Sequence, residues 1–130
     1  QTDPMSTILM SLFGRTPDIK LVLFTLPVLV WMGSIIGIHP VISSVPLLAF
    51  FAPGLTVYDA AFVAQAHMIG WSTGTMTSFS SLSVQIVAEQ FRLRPTQLLF
   101  GPNLLAAGTF AVGGGLLLAI LHQIIIGIPG

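Results

Sequence analysis

Long uncharged stretches are the dominant pattern along this chain. No Asp, Glu, Lys or Arg occurs in residues 21–58, 60–88 or 95–130. A helix of about 20 apolar residues crosses the hydrocarbon core of a bilayer. Two of these stretches therefore have room for a full crossing.

Proline and glycine divide the first stretch into helices of unequal length. A Thr-Pro-Asp helix start at residues 16–18 predicts a helix over about residues 19–38, which is long enough to span. Gly37 and Pro40 then interrupt the chain on either side of His39. The apolar run at residues 41–52 is too short to cross and is typical of a buried or re-entrant half-helix.

The second half of the chain predicts two short helices and one long one. Thr56 and Asp59 have the spacing of a capping box, which indicates a helix that begins there and ends near Gly70. A further short helix is predicted over residues 79–91, and residues 103–126 predict a full span. Small residues recur every four positions in that span, which indicates close contact with another helix; they are Ala107, Ala111, Gly115 and Ala119.

The composition strengthens the membrane interpretation. The 130 residues are 54% hydrophobic and only 6% charged, with a mean hydropathy of +0.95, whereas soluble domains carry roughly 25% charged residues. We therefore predict an all-α integral membrane protein. The formal net charge is zero, so no basic field is present to attract nucleic acid. No cysteine is present, which excludes disulfides and thiolate metal sites.

The polar residues are concentrated in one stretch, GWSTGTMTSFSSLS at residues 70–83. Irregular backbone at membrane depth is tolerated only where it is buried in protein or lines a cavity. A helix broken here would present carbonyl and hydroxyl oxygens to a cation, and N–H groups to an anion, with Thr77 or Ser78 as the second N-cap. The alternatives are a hydroxyl-rich loop in water, or a continuous helix whose hydroxyls bond to its own carbonyls.

Titratable side chains offer a second set of candidates. Asp59 can bind a cation or relay a proton, although its place near a helix start also fits an interfacial cap. His39 lies in the first interruption and His67 precedes the hydroxyl-rich stretch, so both are candidates if the coupling ion is a proton. For His122, near the end of the last span, we predict an interfacial position. No His-Glu-x-x-His motif occurs, and hydroxyl clusters without a local base do not activate a nucleophile, so no enzyme is predicted.

The order of these elements resembles one repeat of the ion transporter superfamily, which includes the divalent-anion/sodium symporters. The resemblance covers about residues 19–126 and rests on GIHPVISS, at residues 37–44, and GWSTGTMTSFSS. In that family a re-entrant hairpin packs beside a broken helix, and their tips hold sodium and part of the substrate. The matching positions here, which the resemblance implies as ion- or substrate-binding, are Ser43, Ser44, Thr73, Gly74, Thr75, Thr77 and Ser78.

The resemblance implies cation-coupled secondary transport of a small anionic solute by alternating access, with Na⁺ or H⁺ as the coupling ion and no other cofactor. It divides the chain into an interfacial segment (1–15) and one membrane domain (16–130). The domain comprises a helix and re-entrant hairpin (17–53), a broken helix (56–91) and a final span (95–127). We expect a bacterial inner membrane protein that is oligomeric and needs a second repeat or sister chain to complete its site. The alternative is a structural subunit of a larger membrane complex.

Overall fold

The computed structural model describes residues 18–127, together with Pro4, Thr7, Ile8 and Ser11. Residues 18–127 form six α-helices and no strand, which confirms the all-α prediction. The predicted interfacial segment at residues 1–15 lies largely outside the described residues. The helices are α1 (Ile19–Ile35), α2 (Pro40–Phe51), α3 (Val57–Thr77), α4 (Leu82–Gln90), α5 (Pro95–Leu99) and α6 (Pro102–Ile126).

Three long helices, α1, α3 and α6, pack together as the core of the fold. Gly70 of α3 lies against Pro27 of α1, and Gly74, one turn later, lies against Ser34, so these two helices run in the same direction. In α6, Gly108 lies against Trp31 and Gly115 against Phe24. The later residue of α6 thus meets the earlier residue of α1, which makes α6 antiparallel to both.

The small residues of α6 explain how closely it approaches α1. Ala107 and Ala111 are fully buried, and a Cβ added to Gly115 would lie 3.1 Å from the Cα of Phe24. Pro27 lacks an N–H group, so the carbonyl of Leu23 has no partner in its own helix, and Gly115 packs directly over it. The predicted helix contact is therefore present, and its partner is α1 of the same chain.

The helix α2 returns alongside α1 after a tight turn. Gly37 adopts a φ of +91°, a left-handed conformation that glycine takes without strain. For this reason α1 ends at Ile35, three residues before the predicted end. The side chains of Leu47 and Phe51 then pack into the main apolar cluster beside Leu26. The interruption predicted between Gly37 and Pro40 is confirmed.

The predicted position of the second interruption is wrong. The helix α3 does not end near Gly70 but continues through the hydroxyl-rich stretch to Thr77, and the chain leaves helical geometry only over residues 78–81. The following helix begins at Leu82 with Ser81 as its N-cap, instead of with Thr77 or Ser78. The glycines do not break α3, because their role is to admit α1 at close range.

Among the helices of residues 18–127, α6 is long and apolar enough to cross a membrane. Its 25 residues correspond to about 37 Å of helix, at roughly 1.5 Å per residue. Large apolar side chains such as Leu105, Leu117 and Ile120 are exposed along its outer side. Two shorter helices, α1 and α2, are also strongly apolar.

Candidate functional site

Both interruptions of the chain lie at the same end of the molecule. Because α1 and α3 are parallel, the turn that follows α1 and the turn that follows α3 emerge on the same side. The first residue of α2, Pro40, lies at this end, where a Cβ added to Gly74 would come within 3.0 Å of its Cγ. The end of α1, the start of α2 and the end of α3 therefore meet there.

Gly74 is the residue at which these helices approach one another most closely. A Cβ placed on it would lie 2.5 Å from the hydroxyl oxygen of Ser34, so no side chain fits without displacing that hydroxyl. A similar approach occurs between Gly33 and Ser43, whose Cβ would lie 3.4 Å from an added Cβ. The two glycines hold the hydroxyl-bearing faces of the three helices against one another.

Five hydroxyl side chains are almost completely buried at this end, and we call them the hydroxyl cluster. Each is at most 2% exposed, which is uncommon for residues that usually face water. The members are Ser34 of α1, Ser44 of α2, Thr73 and Thr77 of α3, and Ser78 just after α3. Of the residues predicted from the sequence, the structure therefore buries Ser44, Thr73, Thr77 and Ser78 near this end, where Gly74 contacts α1 and α2.

The protons of four of these hydroxyls are held by carbonyl groups of their own helices, whereas the Ser78 hydroxyl pairs with that of Ser80 and accepts the N–H of Ser80. Ser34 donates to the carbonyl of Val30 at 2.9 Å, and Thr77 donates to that of Thr73 at 3.0 Å. Thr73 donates to the carbonyl of Ile69 at 2.8 Å. This bonding also explains why α3 continues through so many Ser and Thr residues, since their hydroxyls bond within the helix and do not draw the backbone out of it.

A hydroxyl whose proton is already donated can only accept further bonds, because both remaining sites on the oxygen are lone pairs. Such oxygens are suited to a hard cation, which takes neutral and charged oxygen ligands. They are not suited to an anion, which needs donors. Within residues 18–127, no three His, Cys, Asp or Glu side chains gather as a metal-ligand set.

Two predicted site residues lie outside the cluster. Ser43 is only half-buried and donates to the carbonyl of Pro40 at 3.1 Å. Thr75 donates to the carbonyl of Ser72 at 2.9 Å and, two residues from both Thr73 and Thr77, lies on another face of α3. The Thr75 hydroxyl is directed away from the contact with α1, and the Ser43 hydroxyl lies beside Gly33 without being fully buried.

Sequence reasoning missed Ser34, which belongs to the cluster. It is one of two hydroxyl residues in a mostly apolar helix, the other being Thr25, and no motif surrounds it. Its only signal in the sequence is the adjacent Gly33, which marks a small-residue face on α1. The contact with Gly74 could not be anticipated, because it joins positions 40 residues apart.

The two candidate histidines at this end flank one tryptophan. His39 is the N-cap of α2, and its Nδ1 accepts a hydrogen bond from the N–H of Val41 at 3.3 Å. The rings of His39 and His67 approach Trp71 edge-on, with centroid distances of 6.1 Å and 5.8 Å. The Nδ1 of His67 is buried and has no partner among the described residues.

Asp59 lies at the opposite end and forms the one ion pair recorded among the described residues. Its Oδ1 lies 2.6 Å from Nε2 of His122 on α6, and the side chains are 20% and 7% exposed. Thr56 caps α3 as predicted, since its hydroxyl accepts the N–H of Asp59 at 3.1 Å. The carboxylate of Asp59 therefore does more than cap a helix, because it also contacts His122, which is buried beside it.

Comparisons with protein families, with curated proteins and with solved structures gave no match.

Proposed function

We propose that this chain is the membrane-embedded half of a secondary active transporter that couples the movement of a small solute to a cation. The supporting observation is the hydroxyl cluster, which is buried between two interruptions of the chain at one end of the bundle. Interrupted segments in corresponding positions are the pattern that transporters use to form ion sites.

The cation in this proposal is bound by oxygen atoms alone. The cluster supplies acceptor oxygens on three helices, and Gly74 admits the Ser34 hydroxyl to the surface of α3. No Asp or Glu is present among its members, which favours a monovalent ion because a divalent ion needs carboxylates to offset its charge. Na⁺ is the coupling ion that this chemistry fits best.

The bilayer setting is part of the same proposal. The outward apolar side chains of α6 and the scarcity of charge are suited to lipid, and the hairpin of α1 and α2 is suited to a re-entrant segment. A transporter of this kind forms its site between two repeats, so we infer that a second repeat or a sister chain faces this end. The resemblance implies an anionic solute and a bacterial inner membrane.

The rival function is a structural subunit of a larger membrane complex. One observation favours it: Ser34, Thr73 and Thr77 each donate to a carbonyl of their own helix. Hydroxyls bonded in this way can serve helix packing without binding anything. The two functions differ in whether the hydroxyl end responds to sodium.

Cysteine accessibility in native membranes distinguishes them, because the chain has no cysteine of its own. The reporter is Ser43→Cys, which lies beside Gly33 at the hydroxyl end without removing a buried hydroxyl. The control is Ser72→Cys on the exposed side of α3. Transport predicts that sodium, compared with choline at equal ionic strength, slows labelling severalfold at position 43 and leaves position 72 unchanged. Equal rates in both salts at position 43 would favour the structural subunit.

A further inference from the structure

A cavity of about 210 Å³ lies beside the second interruption, on a different side of α3 from the hydroxyl cluster. It forms because α3 and α4 diverge at residues 78–81, and α5 and the start of α6 close the space between them. Its polar lining comes from Thr75, Ser83 and Asn103. The apolar part is Met76, Val84, Val87 and Leu98.

Two of the three polar groups have no hydrogen-bond partner among the described residues. Thr75 already donates its proton to the carbonyl of Ser72. The hydroxyl of Ser83 and the side-chain amide of Asn103 make no recorded bond, and Asn103 is half-buried. The cavity therefore presents an amide, which both donates and accepts, next to an exposed hydroxyl, and both are available to an occupant.

The size of the cavity limits its occupant. An apolar cavity of about 150 Å³ is known to hold benzene, and simple scaling gives room for about eight non-hydrogen atoms here. The four apolar side chains leave space for a short hydrocarbon portion. Small-molecule sites commonly combine such a wall with a few polar groups that fix orientation.

The lining also limits the charge of the occupant, because no Asp, Glu, Lys, Arg or His contributes to it. Placing an unpaired ion among apolar side chains is strongly unfavourable, whereas a neutral polar group needs only hydrogen bonds. From this geometry we propose that the cavity binds a small uncharged solute that carries an amide or hydroxyl group on a short aliphatic chain.

This assignment rests on the proposed function only in treating the bound solute as the one transported. Binding itself depends on the cavity alone. It departs from the expectation drawn from the resemblance, since an uncharged solute replaces the anion. It also separates the two ligands: the cation meets Thr73 and Thr77 on one face of α3, and the solute meets Thr75 on another.

The test uses butyramide as the neutral probe and butyrate as its anionic counterpart, applied to the full chain in membrane vesicles. The reporter is Val87→Cys, which lines the cavity, and the control is Ile86→Cys, an exposed neighbour on α4 outside it. Butyramide is expected to slow labelling severalfold at position 87 and not at position 86, with or without sodium. Butyrate is expected to have no effect at either position.

A second substitution tests the polar contact. In the Val87→Cys background, Asn103→Leu is expected to abolish protection by butyramide, whereas Gln123→Leu, an exposed amide on the same helix, leaves it intact. Unchanged labelling without solute confirms that a variant is folded. Should Asn103→Leu fold poorly, Val84→Phe fills the cavity from α4 and must also remove protection.

The inference is overturned if butyramide protects neither position, protects both equally, or still protects position 87 when Asn103 is Leu. It is equally overturned if butyrate protects position 87 and butyramide does not. A failure of the transport proposal has a different signature, namely no sodium effect at position 43. The two outcomes are therefore distinguishable.

Discussion

At its N-terminal end, α3 carries Asp59, whose carboxylate lies 2.6 Å from the imidazole of His122 on α6. At its C-terminal end it carries Thr73 and Thr77, whose hydroxyls bond to carbonyls of α3 itself. At the first end, a carboxylate and an imidazole join two helices. The second brings helices together through glycine and leaves neutral oxygens beside the contact.

The difference between the ends concerns what each can bind. The Asp59 carboxylate and Nε2 of His122 satisfy each other, whereas Nδ1 of His122 is buried without a hydrogen-bond partner among the described residues. Four hydroxyls of the cluster are satisfied as donors, and no described residue donates to their lone pairs. The Asp59–His122 hydrogen bond fastens α3 to α6, whereas the hydroxyl end has the unused acceptors that a cation site requires.

The largest effect on stability should come from adding a side chain to a glycine of α3 that contacts α1. A Cβ on Gly70 would lie 2.9 Å from the Cα of Pro27, where backbone must move. We expect Gly70→Ala to lower the free energy of unfolding by about 1–3 kcal/mol, the usual cost of overpacking. The measurement is unfolding in detergent followed by circular dichroism.

The matched control is Gly113→Ala on α6, where an added Cβ meets nothing within 4 Å. It should be neutral or stabilising by up to about 1 kcal/mol, because alanine favours helix over glycine. Equal destabilisation of both variants would show that α1 and α3 do not approach at Gly70 as described.

A smaller effect is expected at the charged end. Asp59→Ala leaves the buried imidazole of His122 without its partner, which typically costs about 1–2 kcal/mol. Asp59→Asn keeps an acceptor oxygen in place and should cost less. If the pair fastens the helices, Asp59→Ala in a His122→Phe background should lose most of its effect, because the unpaired group is gone.

The smallest effect on stability is expected at Ser34, where the same substitution should have a large effect on sodium binding. Ser34→Ala removes one hydroxyl from the cluster, while the Val30 carbonyl can keep its backbone hydrogen bond within the helix. The free energy of unfolding should fall by at most about 1 kcal/mol. Sodium protection at Ser43→Cys should nevertheless be lost. Retained protection would remove Ser34 from the cation site.

Patterns local in the sequence predicted several elements of the fold. Gly37 and Pro40 mark the first interruption, and the repeated Ala and Gly of α6 mark its contact face. These signals work because glycine and proline change the backbone at their own positions, and a small side chain permits close helix contact at its own position. The long apolar run of α6 is equally local and could be recognised from composition.

The errors arose where tertiary contacts decide the outcome. Gly70 and Gly74 look like helix breakers, yet they are needed for the approach of α1 and sit in continuous helix. Hydroxyl back-bonding removes the tendency of Ser and Thr to end a helix. The partner of Asp59 lies 63 positions away, and nothing in the local sequence around either residue indicates the pair.

We propose that the hydroxyl cluster binds sodium. The most direct test measures binding of radioactive ²²Na⁺ to the purified protein in lipid nanodiscs. Thr77→Val removes one buried hydroxyl with little change in shape, and Thr25→Val does the same to a back-bonded threonine of α1 outside the cluster. The account predicts saturable binding that Thr77→Val abolishes and Thr25→Val preserves. No saturable binding, or binding that Thr77→Val leaves unchanged, would contradict it.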